Sequence, residues 1–297
     1  MAQDGVISFQ LEGRWYDVTP DFQHPGGLQR YERKGRAQSP AEACSPGQPQ
    51  TPVAEDGGAA ADVLIDKTKP LLQQVWQLGP AYEQWVNSPV PGQPRFFQSE
   101  WAERVTKVKW WVVPLLWLPL VAYTFGRALL AAQLPLAAAL LLGGLGILAW
   151  GLVEYCIHRF VFHAHPRSHW AIFLHFLFHG NHHKFPMDVE RLVFPPIPAS
   201  WVVYAFYRLL HALLPQGAAL AVFSGMLLGY VAYDCTHYFQ HSGLVGGALR
   251  AAHMHHHYGD HTANYGISSS LFDWMFGTFA TSRSQRRRGV MSGSKAD

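Results

Sequence analysis

Four apolar stretches, at residues 108–125, 134–157, 199–214 and 218–233, are interleaved with groups of histidines, and this alternation restricts the fold more than any other feature of the chain. The first two stretches are long enough to span a bilayer as helices. The last two are shorter and joined by Pro215-Gln216-Gly217, which leaves short spans, a re-entrant hairpin or a buried helical pair. Arg208 and His211 weaken the spanning reading of the third stretch, although an arginine near the end of a span can snorkel. Gly225 and Gly229, four apart, permit close helix packing. The expected fold is an all-α, integral membrane helical bundle of about four membrane segments. A 49% hydrophobic content and eleven tryptophans agree with that class.

Of the 17 histidines only His24 precedes His158. Ten form four groups: His158 and His163; His179, His182 and His183; His237 and His241; His253, His256 and His257. Residues three or four apart share a helix face, so each of the last three groups is expected to aim its imidazoles at one point. His158 and His163, five apart, diverge on a regular helix. A helix end between them, or ligation of different metals, is expected. Burying ten imidazoles without partners is costly, and neutral imidazole suits iron, zinc, copper or nickel. Ten ligands exceed the four of a structural zinc, which points to two metal ions. His175 is a candidate extra ligand and His255 is expected to face outward. His165, His169, His211 and His261 read as surface or outer-sphere groups.

The remaining sequence sets the domain plan. Residues 1–35 read as a short folded fragment with a turn at His24-Pro25-Gly26-Gly27, residues 36–68 as a flexible Ala/Pro/Gly/Gln/Ser linker, and residues 69–297 as the membrane domain. Trp76, Tyr82, Trp85 and Trp101 make residues 71–101 look like an amphipathic approach to the membrane. Cys44, Cys156 and Cys235 offer no disulfide framework. The formal charge of +3 is too slight for a nucleic-acid partner. The basic run from Arg286 to Arg288 reads as a solvated tail or a contact for anionic lipid. With four crossings, both termini and the histidine-rich cap share one side. That side carries most of the arginines and lysines and is therefore placed in the cytosol.

The pattern H-x4-H, H-x2-H-H, H-x3-H, H-x2-H-H resembles the fatty acid hydroxylase and sterol desaturase superfamily over roughly residues 101–278. HRFVFH from His158, RLVFPPIPAS from Arg191, LGYVAYDCTHYFQH from Leu228 and YGIS from Tyr265 carry the likeness. Within the superfamily the chain looks most like the members that hydroxylate carbon 2 of long-chain fatty acids for sphingolipid. The resemblance implies that the ten histidines ligate two metal ions, with iron for turnover because zinc has no redox change, and zinc as the alternative. It places Tyr230, Tyr233 and Asp234 beside the catalytic site. Asp234, three residues before His237, is suited to orienting that imidazole, or is a solvated helix-end carboxylate. The implied partners are a long-chain fatty acid or acyl lipid, dioxygen, cytochrome b5 and its reductase, and membrane lipid, at the endoplasmic reticulum. A sterol oxidase or desaturase on the same scaffold, and an inactive zinc-stabilised membrane protein, are the competing readings. YDVTPDFQHPGG from Tyr16 resembles the part of a cytochrome b5 domain that bears its first haem-ligating histidine, here His24. The likeness stops near Gly35 and His24 has no second axial histidine, so little or no haem is expected.

Overall fold

A computed structural model describes the backbone of residues 7–11 and 14–18 and the whole of residues 64–280. His24, Cys44, the arginine run and most of the linker stretch lie outside the described residues. β1 (Ile7–Leu11) and β2 (Arg14–Val18) pair antiparallel, with Phe9 opposite Tyr16. They are the only strands among the described residues, and everything else is helical or loop.

The described cap begins earlier than residue 69. Ile65 is buried with Leu71, Leu72, Val75, Leu78, Tyr82, Trp85, Val86, Phe96, Ile172, Phe176 and Phe185 in one apolar core. Two short 3-10 turns (Leu71–Gln73 and Val75–Ala81) lead into α1 (Tyr82–Val86), with α2 (Glu100–Val105) following. Of the four aromatic residues expected to mark an amphipathic approach to the membrane over residues 71–101, two are instead core residues. Tyr82 and Trp85 are turned wholly inward against Phe176, while Trp76 and Trp101 remain exposed. Aromatic side chains that can pack on a second apolar layer gain more than they do at an interface.

Below the cap stand α3 (Val112–Leu130), α4 (Leu136–Cys156), α7 (Pro196–Leu213) and α8 (Gln216–Ser242). Between α4 and α7 lie α5 (His169–His175) and α6 (Asn181–Lys184); α9 (Gly247–Tyr258) and α10 (Leu271–Met275) complete the described chain. By length and composition α3, α4 with its extension to Phe162, and α8 can each cross a membrane. α7 does not reach that standard of apolarity. It nevertheless starts beside α8 residue Asp234, to which Phe194 N–H donates, and is joined to the start of α8 by only Leu214 and Pro215. α7 therefore runs the depth of the bundle without being independently membrane-like.

α8 is the central and most buried of these helices, packed against both α3 and α4. Glycines permit this. A Cβ at Gly225 would overlap the Gly143 carbonyl, and one at Gly229 would press on Trp150. Thr124 and Ser224 also share a hydrogen bond of 2.8 Å between α3 and α8. The outward faces carry Leu115, Leu116, Leu140, Leu141 and Leu145, all exposed, as a lipid-facing surface requires. Exposed Trp111, Trp170, Trp201 and Trp274 lie near the cap end of the bundle. Cys156 and Cys235 are free thiols.

Candidate metal centre

The histidines converge where the helices meet the cap. α4 does not stop at Cys156 but widens its hydrogen-bond pattern into a π turn over Ile157–Phe162, closed by His163 N–H donating to His158 O at 3.1 Å. Five residues apart is the step that a π turn aligns. His158 and His163 thus meet at one site, so of the two expected arrangements ligation of different metals is overturned, and the helix ends at His163 itself. A second π turn, Phe176–Gly180, carries His179 into α6.

Ten imidazoles form two groups of five, with the ligand atoms of each group within 4.8 Å of one another. The first contains His158, His163, His179, His183 and His256; the second contains His182, His237, His241, His253 and His257. The sequence motifs are therefore split. His179 with His183, and His253 with His257, stay together at a separation of four, whereas His182 and His256 turn to the opposite group. Neighbouring helical residues point about 100° apart, so an HH pair cannot serve one centre equally well. The expectation of one common point per motif holds for His237 with His241 and is corrected for the other two motifs.

Three backbone carbonyls fix ring orientation. His158 Nδ1–H donates to Tyr265 O at 2.5 Å, His256 Nδ1–H to Ala263 O at 2.6 Å, and His237 Nδ1–H to Leu192 O at 2.9 Å. Each leaves Nε2 as a bare lone pair directed into its group. The Nε2 atoms crowd: His158 to His179 at 3.1 Å, His256 to His163 at 3.0 Å and to His183 at 3.2 Å, His182 to His237 at 2.8 Å, and His241 to His253 at 2.8 Å. Metal–nitrogen bonds of about 2.1 Å place ligand nitrogens at right angles about 3 Å apart, so these separations fit a shared cation. Both ring nitrogens of buried His257 also lack any hydrogen-bond partner among the described residues. Burial, and then neighbouring imidazoles, hold His179, His182, His183, His253 and His257 well below the usual 6.5. Burial, with His158 beside it, does the same for His256, and burial likewise lowers His163. Neutral imidazole is the form that ligates, and the donor set fits two metal ions.

The other histidines stand apart. His175 shares a 2.7 Å hydrogen bond with the Tyr82 hydroxyl and belongs to neither group. His255 lies near Asn264 and His165 pairs with Glu83 at the surface. His169 stacks on Trp76, His211 donates to Tyr207 O, and His261 lies outside the first group near His163. Asp234 is buried, so it is not a solvated carboxylate, and it does not touch His237. Both its oxygens take the Phe194 N–H, two residues from the carbonyl that does orient His237. Arg191, stacked on Phe96, holds the same strap through Asp188 and Glu103.

Tyr233 lies parallel to His237 with ring centroids 6.1 Å apart, and Trp150 joins it to Tyr230, which meets Trp117. Beyond Trp117 a groove of about 360 Å³ runs between α3, α7 and α8 past Tyr123, Val203, Tyr204 and Phe223. At the opposite side, a space of about 20 Å³ beside Tyr82, His165 and His261 touches His163 and His183 of the first group.

A helical membrane bundle capped by two adjacent five-histidine centres defines a class of membrane metalloprotein with paired ions. The Fatty acid hydroxylase family model matches residues 143–278. The chain is 39% identical over 292 residues to fatty acid 2-hydroxylase of Macaca fascicularis, covering 89% of this chain and 77% of that one. It is 40% identical over 235 residues to a dihydroceramide fatty acyl 2-hydroxylase of Arabidopsis thaliana, covering 77% of this chain and 98% of that one. A solved structure of full-length scs7p, in which only the hydroxylase domain is visible, matches with a TM-score of 0.69 at 36% identity, over 77% of this chain and 91% of that chain. The chain belongs to the fatty acid hydroxylase family.

Proposed function

We propose that this chain is a membrane mono-oxygenase that hydroxylates carbon 2 of a long-chain fatty acyl group destined for sphingolipid. The observation that carries this reading is the paired five-histidine centre at the mouth of a membrane bundle, in a chain whose relatives are named fatty acid and dihydroceramide fatty acyl 2-hydroxylases. His158, His163, His179, His183 and His256 would hold one ion, and His182, His237, His241, His253 and His257 the other. Iron in these places would supply activation of dioxygen at a carbon–hydrogen bond, which zinc by itself does not do.

The chain's own residues supply position and dryness. The groove offers an acyl chain an apolar bed within the membrane, and Tyr230 and Tyr233, with Trp150, line the way from its upper end to His237. Asp234 steadies that approach by holding Phe194. Burial of nine of the ten imidazoles keeps bulk water from the reacting centre. Electrons would come from reduced pyridine nucleotide through cytochrome b5 reductase and a separate cytochrome b5. The assigned setting is the endoplasmic reticulum membrane, with the metal site toward the cytosol.

Lipid mass spectrometry after expression in cells lacking their own 2-hydroxylase tests this reading. Accumulation of 2-hydroxyacyl sphingolipid is expected. Oxidised or desaturated sterol in its place, or no product from a chain that carries both ions, would overturn it. Glycosylation acceptors placed in the residue 36–63 stretch and after residue 280 should stay unmodified if both face the cytosol.

A further inference from the structure

The YGIS string contributes no imidazole, yet its backbone faces the first histidine group. His158 and His256 take their orientation from the carbonyls of Tyr265 and Ala263, two residues apart on one loop. A peptide group is planar, so a carbonyl is aimed by whatever holds the N–H at the other end of the same plane. In the peptide joining Tyr265 to Gly266, the N–H donates to Asp273 Oδ2 at 2.8 Å. In the peptide joining Ala263 to Asn264, it donates to Thr278 O at 2.9 Å. Both orienting planes are pinned at both ends.

Asp273 does more than satisfy one donor. Its Oδ1 accepts Tyr265 N–H at 2.8 Å and the Thr278 hydroxyl at 2.7 Å. Glu154 Oε1 accepts the next two amides, Ile267 N–H at 2.7 Å and Ser268 N–H at 2.9 Å, and its Oε2 takes the Ser268 hydroxyl. Glu154 stands one helical turn before His158, so it ties the loop to the very element that carries the ring being oriented. The backbone is shaped for this clamp. Asn264 adopts a left-handed φ of 58°, a region asparagine tolerates better than most residues, and locks there through both amide atoms to Ala280. A side chain at Gly266 would overlap the Ser269 carbonyl oxygen and press on the Asp273 carboxylate.

We infer that Asp273, and behind it Glu154, are positioning residues of the first histidine group, which act through the peptide planes of the 263–268 loop on His158 and His256. This rests on the two-ion reading above. The second group is served by a different strap, at Leu192, so the effect of Asp273 is confined to one of the two ions.

The test is metal titration of the purified full-length chain, stripped and reloaded with cobalt(II), following bound equivalents and the visible absorption of each. The parent takes up two equivalents. Asp273→Asn, which turns an amide N–H toward a backbone N–H, retains one with parental affinity and binds the other about 10–100-fold more weakly, the usual cost of removing a group behind a ligand. Glu154→Gln gives the same selective loss at smaller size and stands in should Asp273→Asn fail to fold. Leu72→Ala, which weakens the cap core away from the histidines, keeps both equivalents. Retention of both ions at parental affinity in both carboxylate variants, or parallel weakening of both ions, overturns the inference while leaving the two-ion reading intact. A parent that binds fewer than two ions overturns that reading itself.

Discussion

The two histidine groups have the same number of donors and opposite construction. The second takes four of its five imidazoles as i, i+4 pairs from two regular helices, His237 with His241 on α8 and His253 with His257 on α9, and all five are buried. The first is gathered from two π turns, α6 and α9, leans on a loop for two of its rings, and contains half-buried His163 at the edge of a water-sized opening. A site carried on regular helices is set by the fold itself, whereas one assembled from turns depends on what braces them. The second group is the rigid partner and the first is the adjustable one.

Removing a ligand from either side is the strongest way to break the pairing. His182→Ala, in the second group, and His256→Ala, in the first, should each lower product by more than about 100-fold, beyond the cost of losing an outer partner. Each should also cost one metal equivalent, as read by lipid product and elemental analysis. Full product from either variant would remove its group from the chemistry.

Acid should act next. Imidazoles whose folded values lie below 6.5 bind protons more readily once unfolded, so stability and metal retention are intact above that value and fall as pH drops through and below it. Outside the membrane helices the first group has four such residues, His163, His179, His183 and His256, and the second has three, His182, His253 and His257. Metal content measured between pH 7 and pH 5 should therefore decline, with the first group leading. A flat profile would contradict the burial seen in both.

Chelation separates the groups without mutation. Removal of cobalt by an excess of chelator should be biphasic, the faster phase belonging to the group that touches the small opening at His163. His163→Ala should abolish the faster phase alone, and a single phase in the parent would make the two groups kinetically equivalent. The smallest effect is expected from His165→Ala. That ring is exposed and pairs with exposed Glu83, a contact worth at most about 1 kcal/mol, so turnover should change by less than about twofold.

The ten histidines, the helical class and the glycine-mediated packing were all legible from sequence, because imidazole spacing and apolar run length are carried by side-chain type. The division of HGNHH and HMHHH between two centres was not. A rule that lets positions three and four apart share a face cannot choose between them, and only the meeting of α6 with α8 and α9 does so. The π turn at Ile157–Phe162 was equally hidden, since an apolar sequence reads the same with four or five residues per hydrogen-bonded turn. The orienting carbonyls of Leu192, Ala263 and Tyr265 leave no trace in residue identity. The inward turn of Tyr82 and Trp85 required the α5 partner Ile172 and neighbouring Phe176, which lie some ninety residues further along.

The exposed tryptophans near the cap end of the bundle bear on regiochemistry. Indole settles at the boundary between head groups and hydrocarbon, so Trp111, Trp170, Trp201 and Trp274 fix how high the protein rides in its membrane. The histidines of α4 and α8 sit within the last two turns of those helices, close beneath that boundary. For an acyl substrate anchored by its head group, the carbon brought to the metals is then counted from the polar end. Lengthening the tail adds carbons only toward the groove, so substrates of different length should be oxidised at the same position and differ only in how well they bind.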